Sequence, residues 1–480
     1  MKKNRVPGRR LPAILALAFF ALLPPAAGAQ EFGFGFDDED PESSGGSSAS
    51  FPVSVKLGGK ARGELFAFFD DLNTFEELKN SSPGDIFSGA LYFSASASGA
   101  DAVINLNLGM NRNNPVALDE AFFRVYFGPA NIEAGLRKLS WGRADSFGPL
   151  DVVNPLDYSD LSRITNVREI KIARPMVHGT VNMGSSSKLE AVFIPGFEGH
   201  RFASSGRWTP SVPVDGIFSS SMAGGILSSL LNNYYSLLVM PDTGKLEYAQ
   251  AGMRFTTTAG PADIGAQYFF GNLFRPSYSF GGAGAFLADL LTVLPSNPRY
   301  TGNFSLLSSR IEYNRYHQIG ADWAQVIAGF NIRAELAAHI TQDLAGNAGW
   351  VRNPFISWSF GFDRDTVWDI NVNLQCNESV RLFGDKNSAF AVDFAWDRLP
   401  VSTRLTLIVS KKFLRDNLEV KCTGIFDPED TGLYLIPAVS WAIGEVTADL
   451  QAGIFAGKKG GELSQYRNSG YIKTALTYSF

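Results

Sequence analysis

Cysteine is nearly absent: Cys376 and Cys422 are the only two in 480 residues, too few for a disulfide scaffold. Both fall on the apolar side of segments that do not look adjacent, so no disulfide is expected. The four histidines, His178, His200, His317 and His339, are scattered, with no pair spaced to seat zinc. Charged residues make up only 19% of the chain and the formal net charge is -5, which excludes electrostatic capture of nucleic acid. Beyond the first thirty residues no run of 18 apolar residues occurs, so no spanning helix is encoded there. No Gly-x-Ser-x-Gly elbow or comparable nucleophile signature is present. No catalytic residue, cofactor or metal is therefore assigned. Asp145, Asp151, Asp157 and Asp160 offer oxygen ligands, but their spacing departs from a helix-loop-helix calcium site, and solvated loop carboxylates are the preferred reading.

What the chain does contain begins with a leader. Lys2, Lys3, Arg5, Arg9 and Arg10 precede the apolar run Leu11 to Leu23 and the small residues Ala27-Gly28-Ala29, a pattern that predicts a secretory signal peptide over 1–29. Pro12, Pro24 and Pro25 leave the run short for a membrane anchor. That leader carries five basic residues and no acid, so the remainder is near -10, roughly six of those charges lying in the tail Glu31, Asp37, Asp38, Glu39, Asp40 and Glu42. With Pro41 and the Ser/Gly run that follows, residues 30–52 read as a flexible periplasmic linker.

From residue 53 to 480 the dominant signal is alternation with a period of two over segments of about ten residues, the length of a tilted membrane-crossing strand. In 367–377, Trp368, Ile370, Val372 and Leu374 oppose Asp369, Asn371, Asn373, Gln375 and Asn377. Ile332, Ala334, Leu336, Ala338 and Ile340 oppose Asn331, Arg333, Glu335 and His339 in 330–340, and 101–110 and 446–454 divide likewise. A soluble sandwich also alternates, but its strands average about 5 to 6 residues. Aromatic residues, 13% of the chain, recur near the segment ends as an interfacial girdle would require. These features predict an all-β transmembrane antiparallel barrel. A first count gives about nineteen segments, with one surplus between 340 and 430; since single-chain barrels are even-numbered, about 18 strands are expected, with 16 the next choice. Short turns at 99–101, 128–131, 184–187, 260–263 and 444–445 belong on the periplasmic side. Segments 139–167, 196–243, 271–312 and 457–468 read as extracellular loops, and the helical-looking pieces 216–231 and 283–294 as caps or inward folds.

The last segment, Tyr471 to Phe480, aligns Ile472, Thr474, Leu476 and Tyr478 on one face and ends in an aromatic residue. It resembles the terminal strand of bacterial outer-membrane barrels. That resemblance implies recognition of Tyr478 and Phe480 by the barrel-assembly machinery and closure of the last strand on the first. A second stretch, Leu139-Ser140-Trp141-Gly142-Arg143-Ala144-Asp145 followed by Pro149-Leu150-Asp151-Val152-Val153-Asn154-Pro155-Leu156-Asp157, resembles a loop of alginate-export-like outer-membrane porins. The resemblance implies an 18-stranded barrel with long loops and, in the named members, a conduit for a polyanionic sugar. On physical grounds Trp141 and Asn154-Pro155 fix the loop against a strand top, and Arg143 pairs with Asp145, Asp151 or Asp157.

Candidate inward charges are Arg124, Arg137, Arg254, Arg333, Arg404, Lys421 and Lys473 against Glu133, Asp263, Glu335, Asp369, Asp393, Asp397, Glu419 and Asp449, joined by the polar Asn371. The signs nearly balance, whereas a polyanion conduit needs a dominant positive field. The expected function is a passage for small hydrophilic solutes through a barrel surrounded by outer-membrane lipid. A surface adhesin or structural barrel, and an exporter of anionic polysaccharide, are the alternatives.

Overall fold

The computed structural model describes residues 53–69, 86–109, 115–203, 206–210, 241–281, 283–300, 303, 308–348, 351–383, 391–393, 400–458 and 461–480. The expected leader, the linker and the helical piece 216–231 lie outside these residues.

Eighteen antiparallel strands form one continuous sheet that closes on itself. In chain order they are β1 (Ser54–Phe68), β2 (Phe87–Ala97), β3 (Ala100–Gly109), β4 (Val116–Phe127), β5 (Ala130–Arg137) and β6 (Arg174–Met183). There follow β7 (Ser187–Ile194), β8 (Gln250–Ala259), β9 (Ala262–Asn272), β10 (Arg315–Ile327), β11 (Phe330–Thr341) and β12 (Phe355–Asp365). The last are β13 (Ile370–Arg381), β14 (Val401–Phe413), β15 (Leu418–Asp427), β16 (Gly432–Ile443), β17 (Val446–Ala456) and β18 (Tyr471–Ser479). Each pairs with its chain neighbours, and β18 returns to β1 with Tyr478 opposite Ala61 and Leu476 opposite Gly63. Phe480 extends this seam: its N–H donates to the Gly59 carbonyl at 3.0 Å, and the Gly59 N–H donates back at 2.9 Å. A sheet inside hydrocarbon must leave no backbone group unpaired, and only a closed ring does so.

The alternation expected from sequence decides which face is which. Phe123, Ile319, Leu336, Leu450 and Leu476 are exposed on the outside, whereas Arg254, Gln267, Gln318, Glu335 and Gln375 point inward and are buried. The exterior is thus an apolar belt suited to lipid. The connections after β2, β4, β6, β8, β10, β12, β14 and β16 are tight and share one end with Val53 and Phe480, while the long loops share the other. At the β10–β11 turn, Ala328 and Gly329 have φ of 53° and 79°, the left-handed pair that a two-residue hairpin needs.

Two expectations about inward residues are corrected. Asp369 is not on a strand: β13 starts at Ile370, and Asp369 sits in the preceding turn with φ 57°. Its neighbours Val367 and Trp368 are highly exposed at the rim, so the apolar pattern runs on past the strand because interfacial aromatics obey the same outward preference. Asp393 ends the short strand Ala391–Asp393, which pairs with Ser277–Gly281 in a separate three-stranded loop sheet with Ser308–Glu312. This piece lies in the region 340–430, where one segment had to be surplus. The helical piece expected at 283–294 is α1 (Ala283–Val293), in the loop after β9.

The interior is not uniformly polar. Residues 138–173, between β5 and β6, enter the barrel and bury two apolar clusters against opposite walls. Leu139, Trp141, Val152 and Val153 pack on Met176, Val192, Phe269, Tyr316 and Phe355. Leu156, Leu161, Ile164 and Ile170 pack on Ile425, Tyr434, Ile436, Phe455 and Tyr471. Each such side chain is worth roughly 1.5–3 kcal/mol when removed from water.

Leu336, outward near the middle of β11, gives a direct test. Leu336→Arg should cost about 2–4 kcal/mol of folding stability in phospholipid bilayers, read as a lower urea midpoint, because the charge must enter hydrocarbon.

Candidate functional site

The loop 138–173 bridges the lumen, and its ends are tied together before it enters. Asn154 is buried; its Oδ1 accepts from Leu139 N at 2.7 Å, and its Nδ2 donates to the carbonyls of Arg137 and Ile172 at 3.0 and 2.8 Å. The Pro155 carbonyl accepts from Ile172 N. Lys171 binds Asp151 at 2.6 Å and donates to the Leu139 carbonyl and Ser140 Oγ. Burial raises the Asp151 carboxyl pKa, and the Lys171 ammonium opposes that shift.

The first half of the loop lies on β8 to β13, each of which supplies inward polar groups. Trp141 is buried, with its ring edge-on to Phe269 at 6.2 Å. Gly142 has φ 89°, and a Cβ there would collide with the Glu335 carboxylate, so the backbone approaches closely enough to bond it. Glu335 Oε1 accepts from the N–H of Arg143 and, at 2.7 Å, from that of Ala144; Oε2 accepts from Leu150 N at 3.3 Å. The pairing expected within the loop for Arg143 does not form. Its guanidinium reaches the wall instead, 2.6 Å from Asp322 and 3.4 Å from Asp263. Asp322 is also held by Arg254 at 2.6 Å, so one buried carboxylate bridges two guanidiniums, one from the loop and one from the wall. Asp145 binds Arg333 and, at 2.8 Å, Asn373, and Arg333 bridges to Asp363 at 2.7 Å. Gln375 Oε1 accepts from the N–H groups of Asp145 and Ser146 at 3.0 Å. Gln318 and Gln267 donate to the carbonyls of Pro149 and Leu150.

The second half leaves that wall. Asp157 accepts from Arg201 at 3.0 Å, and Asp160 caps a short turn through Ser162 N at 2.9 Å. Tyr434 donates to the Leu161 carbonyl at 3.0 Å, Gln451 to the Ser162 carbonyl and Lys473 to Ser162 Oγ, both at 2.9 Å. Between this turn and β15–β18 with β1 lies a polar cleft of about 240 Å³, lined in part by Arg62, Arg163, Glu419, Lys421, Asp449 and Lys473.

The remaining candidates fall elsewhere on the inner wall. Arg124 and Arg137 both bind Glu133, at 2.6 and 2.7 Å, and His178 links Glu133 to Glu190. Asn371 donates to Asp365 near the short-turn end. Arg404 grips Asp427 through two bonds of 2.9 and 3.0 Å at the long-loop end and also binds Glu462 at 2.9 Å; Glu462 takes Arg275 at 3.1 Å. Burial pushes the Glu462 carboxyl up, but Arg404 and Arg275 more than offset this, and its pKa falls to about 2. Tyr478 stacks on Phe480 at the seam. Asp322, Asp363, Glu462 and Arg275 were missed from sequence. Asp322 sits between the outward Ile319 and Trp323 of a clean alternation, a signal that was available; Glu462 and Arg275 lie in loops without periodicity.

Two outcomes follow. Glu335→Ala strands three loop N–H groups, so the segment around Ala144 should become open to a thiol reagent (Ala144→Cys background) while the barrel itself stays folded. Because the folded pKa of Glu462 is depressed, its tie to Arg275 and Arg404 contributes fully above about pH 4.5 and is lost as pH falls through about 2. Protease susceptibility of the loops 273–314 and 457–470 should rise only in that acidic window, and Glu462→Gln should show the rise already at neutral pH.

No curated protein matches the sequence. Among solved structures, Acinetobacter baumannii OccAB4 superposes with a TM-score of 0.48 and 7% identity over 89% of this chain and 98% of that one. Pseudomonas aeruginosa OccK3 (OpdO) gives 0.47 and 9%, covering 89% and 95%. Wzi of Escherichia coli, described as a carbohydrate-binding outer-membrane β-barrel involved in capsule assembly, gives 0.45 and 10%, covering 88% and 84%. The sequence profile described as Protein of unknown function (DUF1302) matches residues 98–477, and the chain belongs to that family.

Proposed function

We propose that this protein is an outer-membrane channel for passive diffusion of small hydrophilic solutes, and that the path runs through the cleft between the inserted loop and the β15–β1 wall. The observation that carries the reading is the asymmetric placement of loop 138–173. Its first half is bonded to β8–β13 through Glu335, Asp322, Arg333 and Gln375, whereas its second half packs on Tyr434 and Tyr471 and borders a cleft lined by polar and charged side chains. A loop that bridges the lumen and leaves a cleft beside it narrows the passage without filling it, and the width and lining of what remains set what passes. Export through the inner membrane with removal of the leader, and handling of the β18 end by the barrel-assembly machinery, belong to the same reading.

Export of a polyanion is less well supported. Arg124, Arg333 and Arg404, which would have to attract it, are each bound to carboxylates: Glu133, Asp363 and Asp427. A field already neutralised at these positions steers an anionic polymer weakly.

Purified protein in planar bilayers should give stable stepwise conductance with a small reversal potential in a salt gradient, since opposite charges line the cleft. Glu335→Ala, which releases the loop, should raise the conductance of each step. Silence across a wide voltage range would sink the reading.

A further inference from the structure

The charges on the open side of the passage are arranged in rungs. Strand register places Lys412, Glu419, Ser440, Asp449, Ala475 and Glu64 on one level around the inner wall, and of its charged residues Glu419 and Asp449, not Lys412, line the cleft. One level further from the short-turn end, the same register gives Lys421, Ala438, Gln451, Lys473 and Phe66. Two residues along a strand separate the levels by roughly 7 Å. Within the cleft, therefore, the acidic pair Glu419 and Asp449 lies beneath the basic pair Lys421 and Lys473.

Not all of these charges are committed. Glu64 is taken by Arg62 and Arg163, both at 3.1 Å, and Asp449 by Ser440 at 2.7 Å and, more weakly, Arg62 at 3.9 Å. Lys473 donates to Ser162 Oγ and carries no ion pair among the described residues. The side chains of Lys421 and Glu419, which line the cleft from the same strand, make no hydrogen bond or ion pair among the described residues. A further group points the same way: Thr423, one rung beyond Lys421, is 2% exposed and lines the cleft, yet its hydroxyl has no partner among the described residues. A buried hydroxyl left without a partner is costly, and a ligand acceptor would satisfy it.

Resting on the channel reading above, we propose that this cleft is a recognition site for small zwitterions, solutes that carry a carboxylate and an ammonium a few bonds apart. The carboxylate lies against Lys421 and Lys473 and accepts from Thr423; the ammonium lies against Glu419 and Asp449. A lone anion gains the basic rung but meets the acidic one, and a lone cation meets the reverse. A neutral solute gains neither. The two rungs together favour a solute whose dipole matches theirs, because opposite charges placed across a cleft discriminate by repulsion as well as attraction.

The test uses the full protein reconstituted in phosphatidylcholine vesicles and three labelled probes of similar size: γ-aminobutyrate, butyrate and butyramide. γ-Aminobutyrate should enter several-fold faster than either of the others. Glu419→Gln should bring γ-aminobutyrate down to the butyramide rate while raising butyrate; Lys421→Gln should lower both γ-aminobutyrate and butyrate. Butyramide entry, retained in each variant, reports that the barrel is folded and open. If butyramide enters and γ-aminobutyrate is no faster, or if both variants keep the preference, the zwitterion site is overturned while the channel stands. Entry of none of the three probes overturns the channel reading and this one with it.

Discussion

Every backbone amide and carbonyl inside a hydrocarbon layer must find a partner within the protein, and the whole architecture depends on that requirement. It is met at the seam where β18 meets β1, with the reciprocal bonds between Gly59 and Phe480 completing the ring. Once the wall is closed its outer face needs no protein cover, because lipid suffices for Leu336, Ile319 and Leu476. The inner face is then free to receive a segment of the chain itself.

That segment is held by charge neutralisation at close quarters. Asp322 lies between Arg143 of the loop and Arg254 of the wall, and Glu335 is satisfied by loop N–H groups. These carboxylates are buried, so leaving any one unpaired would cost several kcal/mol, and the loop and wall are consequently interdependent. Apolar side chains from both halves of the same loop add a non-directional contribution against both sides of the lumen. Gly142 is where the two requirements meet: the backbone can turn onto Glu335 only because no side chain stands between them.

The asymmetry of the interior follows from the same bonds. Charges under the first half of the loop are consumed in holding it, while on the β15–β1 wall Lys421 and Glu419 face the cleft. Function is thus assigned to the residues the structure leaves uncommitted, Lys421, Glu419 and Thr423, rather than to the most buried or most strongly paired ones.

Fold class, a strand number of about 18 and the faces of the clearly alternating segments were legible in the chain because a wall with lipid on one side and a wet lumen on the other writes a period of two into the sequence. The pattern misled only where that physics lapsed: at Trp368 and Asp369, where a rim turn keeps the outward aromatic preference, and at Asp393, which belongs to a loop sheet. The motif from Leu139 to Asp157 was visible, but not its destination. Whether Arg143 pairs with an aspartate beside it or with Asp322, 179 positions away, depends on closing the ring and folding the loop inward. Linear order carries no information about such distances; the sequence determined the container, and only tertiary structure decided which of its inner charges were spent and which remain open to a solute.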